Sequence, residues 1–504
     1  MEPPSEPSGG PRSASENDLS DRDISVAEIR REAAAGAAVV GVRGVLVRLL
    51  GLLGNIILAR LLVPRQFGVV AFGATLMAFM GFLSDAGLGA GFIRRRDAPI
   101  RTEFESLVGL QLVLSILFTL AIAAVAWPFG QVGRITAVMV AGLPILTLKT
   151  PGWVILERNL LFKRLVTFEL MEWIAFYVWA VATVAMGWGV WGYATASIVR
   201  AVTGSTVMIS FGPVGFVRPS LSLHRIRGLL RFGAQYQAVE LANLVRLQGV
   251  NIGTGIIAGV SVLGLWTLAS RLLQIPFLVF ESLWRVSYPA IARLVKAGEE
   301  PRPLLERGVG IVAVGTGVLL VPLVAAAPAF MPSVFGPEWS PASVVVPAAA
   351  VGLLINGPIS VATAGYLYSA GETGTVLRAM LLSSVTWFAI TFPLLVPLGV
   401  VAVGLGWTAA SLIEAVILGR KVHRLIGARL VSPMVTPTLL AAICGGSGAY
   451  IASSVAPTIG AALVIGSGAL AVYVAGVAVA RRSLLGETVG IVMRAFRATV
   501  ARTG

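Results

Sequence analysis

One cysteine, Cys444, and two histidines, His224 and His423, are all that this 504-residue chain offers of those residue types, and each histidine is followed by arginine. Neither a disulfide framework nor a zinc site can be assembled from that stock, so no metal and no cofactor is expected. Lysine is nearly as scarce: Lys149, Lys163, Lys296 and Lys421 are the only four among 39 basic residues. None of them closes a G-x-x-x-x-G-K-[ST] loop, which excludes ATP hydrolysis of the P-loop kind. Charge of either sign is rare as well, at 12% of residues, where a soluble domain carries about 25%.

Hydrophobic residues fill the gap, at 56% of the chain and a mean hydropathy of +0.86. A membrane span needs roughly twenty mostly apolar residues. The chain divides into about fourteen such segments, near 36–60, 67–93, 104–127, 133–154, 166–187, 189–211, 229–258, 261–289, 307–331, 342–369, 375–397, 400–420, 433–454 and 458–480. The expected fold class is therefore all-α and integral to a membrane. Residues 1–23, rich in Pro, Ser, Gly and acidic groups, cannot bury enough apolar surface to fold, and 24–35 read as a short helix at the membrane surface. The first apolar run starts near Ala33 and is too long for the core of a signal peptide, so none is expected.

The net charge of +15 raises the question of a nucleic-acid partner, but its placement points to topology. Loops on one side hold Arg94, Arg95, Arg96 and Arg101, then Arg158, Lys163 and Arg164, then Arg218, Arg225, Arg227 and Arg231. Further on come Arg293, Lys296, Arg302 and Arg307, then Arg378, then Arg420, Lys421, Arg424 and Arg429, and finally the C-terminal tail. The other side has Arg60 or Arg65 and Arg134, and almost nothing later. Positive loops face the cytoplasm, which places both termini on the cytoplasmic side of the cell membrane. The outer loops are a few residues long, a dozen at most near 331–342, and leave no room for an extracellular domain.

The two six-span halves resemble each other. Gly192-Tyr-Ala-Thr-Ala-Ser-Ile-Val-Arg-Ala-Val202 aligns without a gap to Gly406-Trp-Thr-Ala-Ala-Ser-Leu-Ile-Glu-Ala-Val416. Val47-Arg48-Leu49 matches Val245-Arg246-Leu247, Phe67-Gly68 matches Leu263-Gly264, and Asp85 falls opposite Glu281. An even number of spans per half gives a parallel repeat, whose axis lies along the membrane normal. The organisation read from this is a cytoplasmic tail and surface helix at 1–35, six-helix lobes at 36–215 and 216–425, two further spans within 426–482, and a tail from 483 to 504.

Ionisable groups inside spans are costly and mark functional sites. At 100° per residue, Arg271, Gln274, Glu281 and Arg285 share an arc of about 80°, as do Gln237, Glu240, Gln248 and Asn251 one span earlier. Asn243 and Arg246 are read as widening the second stripe, and Arg48 sits in the first span. Together they describe a hydrophilic lumen. The competing account is internal pairing, such as Glu281 with Arg285, that only locks helices together. Asp85, at the start of Asp-Ala-Gly-Leu-Gly-Ala-Gly, is either a coupling residue or a helix cap. Glu169 and Glu172 are read as pairing with basic loops near the cytoplasmic surface.

Several ordered stretches carry a resemblance. Ala59-Arg-Leu-Leu-Val-Pro-Arg-Gln-Phe-Gly68, Asp85-Ala-Gly-Leu-Gly89 and Ile93-Arg94-Arg95 resemble the start of a Wzx-type polysaccharide flippase. Arg231-Phe-Gly233, Leu268-Ala-Ser-Arg-Leu272 with Pro276, Arg285-Val-Ser-Tyr-Pro289 and Phe335-Gly-Pro-Glu-Trp339 continue the likeness over roughly residues 40–425. Trp266 departs from it, where that group more often has Tyr. The superfamily also holds MATE-type multidrug exporters and lipid II flippases.

The resemblance implies a MATE-like pair of lobes that carries a lipid-linked oligosaccharide from the cytoplasmic to the outer leaflet for polysaccharide biosynthesis. The substrate it implies is a sugar repeat unit on undecaprenyl diphosphate. It implies no enzyme, no nucleic acid, and as partners membrane lipids and the polymerase and glycosyltransferases of the same pathway. On this reading Arg48, Arg246, Arg271 and Arg285 grip the diphosphate through their fixed guanidinium forks. Gln237, Glu240, Asn243, Gln274 and Glu281 meet sugar hydroxyls or tune the field. The alternatives are a lipid II flippase, a MATE-type drug exporter, whose cavity should be mainly acidic, and a membrane polymerase, for which the outer loops are too short.

Overall fold

The computed structural model describes residues 44, 46–47, 49–85, 87–95, 97–222, 224 and 227–490. The side chains of 94, 227–236, 238–239, 275, 278–279, 281–283, 285–286 and 290 fall outside that description. So do the tail and surface helix expected at 1–35, the whole of Arg48, and the residues from 491 onward.

The described chain is helical almost throughout, and no β-strand occurs among the described residues. In hydrocarbon every backbone N–H and C=O must be satisfied within its own segment, and the helix does this. A helix α1 (Leu49–Leu61) leads into α2 (Pro64–Asp85), α3 (Leu88–Arg94), α4 (Arg101–Ala126), α5 (Gly130–Val140), α6 (Leu143–Thr147) and α7 (Thr150–Arg158). Then follow α8 (Phe162–Thr183), α9 (Val190–Phe211), α10 (Arg227–Ile257), α11 (Val260–Ala297) and α12 (Arg302–Phe335). The last are α13 (Val345–Ser369), α14 (Thr373–Leu398), α15 (Val400–Ile426), α16 (Val431–Ser453) and α17 (Ile459–Ala480).

Among the described residues, ten helical stretches are long and apolar enough to cross a membrane. One of them, Arg101–Thr147, is not a single crossing. The turn Trp127–Phe129 reverses the chain there, and Gly133 lies so close that a Cβ would fall 1.6 Å from the Ala126 carbonyl oxygen. α5 and α6 therefore run back along α4. The single span expected over 133–154 is instead three short helices, α5 to α7. Pro144 and Pro151 each sit at the start of the next piece; proline lacks the N–H that would continue the helix before it and suits a first turn. The span expected over 67–93 likewise ends at Asp85, and the chain restarts as α3 after Gly87. α10, with 31 residues, is long enough to cross a membrane but too polar to count among the ten, whereas α11, with 38 residues, is largely apolar over 263–280.

By internal contacts the chain forms two units, one of residues 1–55 and 73–244, the other of 56–72 and 245–504. In the first, Phe92, Phe104, Leu107 and Ile155 make a core around the ends of α3, α4 and α7. A ring ladder of Trp173, Phe176, Tyr177 and Tyr193 joins α8 to α9. The core of the second is larger and centres on Trp266, Trp387 and Leu353 from α11, α14 and α13.

Candidate functional site

The residues expected to line a lumen lie on α10, a helix with no apolar stretch of span length, and on α11. α10 is continuous over its 31 residues, so its register is fixed. Gln237, Glu240, Gln248 and Asn251 keep their common face. Gln237 is half-buried and its Nε2 donates to the Phe82 carbonyl of α2 at 2.9 Å. Asn251 Nδ2 donates to Gln248 Oε1 at 3.3 Å, and Glu240 is exposed.

Arg246 departs from expectation. Nine positions of α-helix after Gln237 turn it about 180° to the opposite face, so it does not widen the stripe. Its Nε is buried and has no hydrogen-bond partner among the described residues. Thr254 Oγ1, two turns further along α10, is in the same condition. Asn243, half-buried, lies between the two faces.

On α11, Arg271 is half-buried and its guanidinium lies 6.0 Å from the centre of the Phe67 ring, within cation–π reach. No carboxylate pairs with it among the described residues. Gln274 is exposed one turn on, and Pro276 is buried. Glu281 and Arg285 belong to α11 and keep their register with Arg271, but their side chains lie outside the description, as does Arg48.

Asp85 ends α2 and accepts hydrogen bonds from the Gly87 amide and from Gln111 Nε2, the latter at 3.0 Å. That is an Asx-type turn tied to the next span, and Gly87, not Asp85, is the cap of α3. Arg95, from the basic run after α3, makes a bidentate pair with Glu103 at 2.7 and 3.1 Å.

Stretches read separately in the sequence meet in space. Arg60 donates to the carbonyls of Ser333 and Val334 at the end of α12, where a cation offsets the free carbonyls of a helix C-terminus. Trp339 is fully buried; its indole N–H donates to the Ala59 carbonyl at 3.0 Å, and its ring meets Phe67 edge-on at 5.5 Å. Leu268 and Leu272 complete the cluster. Close by, α2 crosses α11 at two glycines. A Cβ on Gly68 would fall 1.6 Å from the Val260 oxygen, and one on Gly264 would fall 2.1 Å from the Pro64 oxygen. Each glycine abuts the carbonyl four residues before the other. This reciprocity is what a two-fold relation between the two segments gives.

One charged cluster goes beyond the sequence reading. Glu172, read as pairing with basic loops, is buried in α8. It pairs with Lys149 Nζ at 2.6 Å and with Arg200 of α9 at 3.3 Å, while Arg200 stacks 3.8 Å over the Trp173 ring. Gly204 admits the carboxylate: a Cβ there would fall 2.2 Å from Glu172 Oε2. Two cations inside expected spans, Lys149 and Arg200, were the available signal for a buried anion.

Residues 57–344 match the family described as polysaccharide biosynthesis protein. Among similar proteins is the succinoglycan biosynthesis transport protein ExoT of Rhizobium meliloti, 24% identical over 294 residues, which are 56% of this chain and 58% of that one. Another is the lipopolysaccharide biosynthesis protein WzxC of Escherichia coli, 24% identical over 324 residues, 62% of this chain and 65% of that one. The chain thus matches less than two thirds of the length of either relative. Among solved structures, the lipid II flippase MurJ in an inward closed conformation has a TM-score of 0.62 at 14% identity, over 88% of this chain and 99% of that one. An inward-facing multidrug resistance transporter of the MATE family has a TM-score of 0.55 at 17% identity, over 75% and 94%. At such identities the likeness to the two solved structures is one of fold: helical, multi-pass and membrane-embedded.

Proposed function

This chain belongs to the polysaccharide biosynthesis protein family, and from that premise we propose that it is a flippase. It moves a lipid-linked oligosaccharide, a sugar repeat unit on a polyprenyl diphosphate, from the cytoplasmic to the outer leaflet, and performs no covalent chemistry of its own. The names of the two relatives, succinoglycan transport and lipopolysaccharide biosynthesis, support the substrate class. The observation that carries the reading is the polarity of α10, where Gln237, Glu240, Asn243, Arg246, Gln248 and Asn251 fall within one helix that has no apolar stretch of span length. Arg246 there and Arg271 on α11 have no carboxylate partner among the described residues. A cation that deep costs at least about 2.5 kcal/mol on insertion scales unless something offsets it, and a diphosphate does so. The head group then crosses in a polar path while the tail stays in lipid. Transport proceeds by alternating access of the lobes 36–215 and 216–425, and the reciprocal crossing at Gly68 and Gly264 supports their parallel repeat.

The test is export of the lipid-linked glycan, read separately from protein level. Arg246→Gln and Arg271→Gln each lower export roughly tenfold or more, the value of a charge-assisted hydrogen bond, with Arg→Lys intermediate because it keeps the charge and loses the fork. Full export from Arg48→Gln/Arg246→Gln ends the lumen reading. Full export from Glu281→Gln/Arg285→Gln removes that pair from the substrate site and leaves it a helix lock.

The orientation follows the arginine-rich loops and has its own test. In a Cys444→Ala background, thiol probes at Ser222 and Arg429 label from the cytoplasm and one at Pro337 from outside. A reversed pattern overturns it.

A further inference from the structure

We infer that the second unit carries a built-in site for one anionic phospholipid, distinct from the transport path and lying between α13, α15 and α16. A groove of about 640 Å³ runs there. Its long walls are apolar, with Leu412 and Val416 on α15 and Val435 and Leu439 on α16. Its one charged end holds Arg420 and Arg429. Both are exposed. The Arg420 guanidinium has no hydrogen bond or ion pair among the described residues. The Arg429 side chain makes none either, although its backbone N–H donates to Glu306 Oε1 at 2.6 Å. That carboxylate is already engaged by Arg302 at 3.0 Å. Two arginines at the mouth of an apolar groove are therefore left to find an anion elsewhere.

The dimensions select the occupant. From Arg420 to Leu412 is eight residues of helix, about 12 Å, and from Leu430 to Leu439 is nine, about 14 Å. Half of a hydrocarbon core is about 15 Å. The groove is one leaflet deep, so it takes an acyl chain lying along α15 and α16 with its phosphate between Arg420 and Arg429. Basic pockets between membrane helices bind acidic head groups in this way. A polyprenyl tail far outruns such a groove, which argues for a membrane phospholipid over the transported substrate. Gly419 leaves the wall open, since a Cβ there meets nothing within 4 Å.

The test uses the full chain purified in a neutral detergent, titrated with phosphatidylglycerol or phosphatidylcholine and followed by thermal unfolding and native mass spectrometry. Phosphatidylglycerol raises the unfolding temperature and remains bound; phosphatidylcholine does neither. Each surface arginine contributes about fivefold in affinity toward an acidic head group, so Arg420→Gln/Arg429→Gln weakens binding on the order of 25-fold. Gly419→Leu, which improves helix propensity, abolishes retention of the lipid while its unfolding temperature without lipid stays at the wild-type value. Equal binding of both lipids, or undiminished phosphatidylglycerol binding by the arginine variant, overturns the site. Displacement of phosphatidylglycerol by undecaprenyl phosphate also overturns it, because the groove would then serve the substrate lipid. None of these readouts depends on transport.

Discussion

The same helical hairpin occurs once in each unit, and the two copies are filled with opposite chemistry. In the first, α8 and α9 join through Gly189 at φ 53° and ψ −132°; in the second, α14 and α15 join through Gly399 at φ 55° and ψ −133°. Only glycine adopts that backbone without strain. Beyond each turn a glycine allows the helices to touch. A Cβ on Gly192 would fall 2.5 Å from Thr183 Oγ1, and one on Gly406 would fall 2.1 Å from Thr391 Oγ1. The contact glycine comes three residues after the turn in the first hairpin and seven after it in the second. Four extra residues are close to one helical turn, so the inward face is kept. Inside the first hairpin lie Glu172, Arg200 and Lys149. Inside the second, Trp387 meets Trp407 edge-on at 4.8 Å, and Trp266 of α11 closes the group at 6.2 and 6.3 Å. The backbone repeat fixes where the helices cross, and leaves the chemistry of the crossing free.

Breaking either copy at its centre has the largest expected effect. Glu172→Ala leaves two half-buried cations without their anion and costs about 3 kcal/mol, read as a loss of the unfolding temperature in detergent. Replacing Glu172, Lys149 and Arg200 together by leucine restores most of that stability, since an apolar core of similar volume serves as well. A triple variant as unstable as the single one shows that the three charges do not act as one unit.

In the aromatic copy, Trp387→Ala opens a cavity and costs about 3–4 kcal/mol. Trp407→Phe is near neutral there, because its indole N–H has no partner to lose among the described residues. A large loss from Trp407→Phe would reveal a partner for that N–H.

Gly192→Ala and Gly406→Ala sharpen the repeat itself. Each forces apart a packed crossing, which costs about 1–3 kcal/mol, and Gly406→Ala should cost more because its contact is the closer. A neutral result at either position separates the two hairpins as structures.

The smallest effect is electrostatic and belongs to the surface of the second copy. Glu372 accepts from Lys421 at 2.9 Å and from Thr375, and the hydrogen bond from Lys421 chiefly holds its carboxyl below the usual glutamate range. A lowered folded value gives stability that is present above the unfolded value and disappears as pH falls through the folded one. Thermal unfolding between pH 6 and about pH 3 should therefore show a small acid destabilisation that Lys421→Gln reduces and salt weakens. The buried triad of the first hairpin should respond far less to salt.

Much of the membrane frame was legible. The expected bounds 400–420, 433–454 and 458–480 stand against helices Val400–Ile426, Val431–Ser453 and Ile459–Ala480, because a long apolar run has no other way to satisfy its backbone in lipid. The failures occur where proline and glycine punctuate a run: 133–154 reads as one apolar stretch, yet Pro144 and Pro151 divide it. Within the candidate site, counting at 100° per residue held for Gln237, Glu240, Gln248 and Asn251. By the same count Arg246 falls on the opposite face of that helix.

By itself the sequence determined what depends on composition and local period: a helical membrane protein, its arginine-rich loops, and the register of the polar residues along α10. Only the tertiary structure decided which distant residues meet. It brought Arg60 to the end of α12, Trp339 to Ala59, and Gly68 to Gly264. It also gave Glu172, read as pairing with basic loops, its actual partners, Lys149 and Arg200, in a buried site. The reason is physical: a helix fixes the direction of its side chains within a few residues, whereas what they touch depends on how closely another helix can approach. Glycines such as Gly204 and Gly264, spread through a chain with 57 of them, take on that role only once the helices are packed.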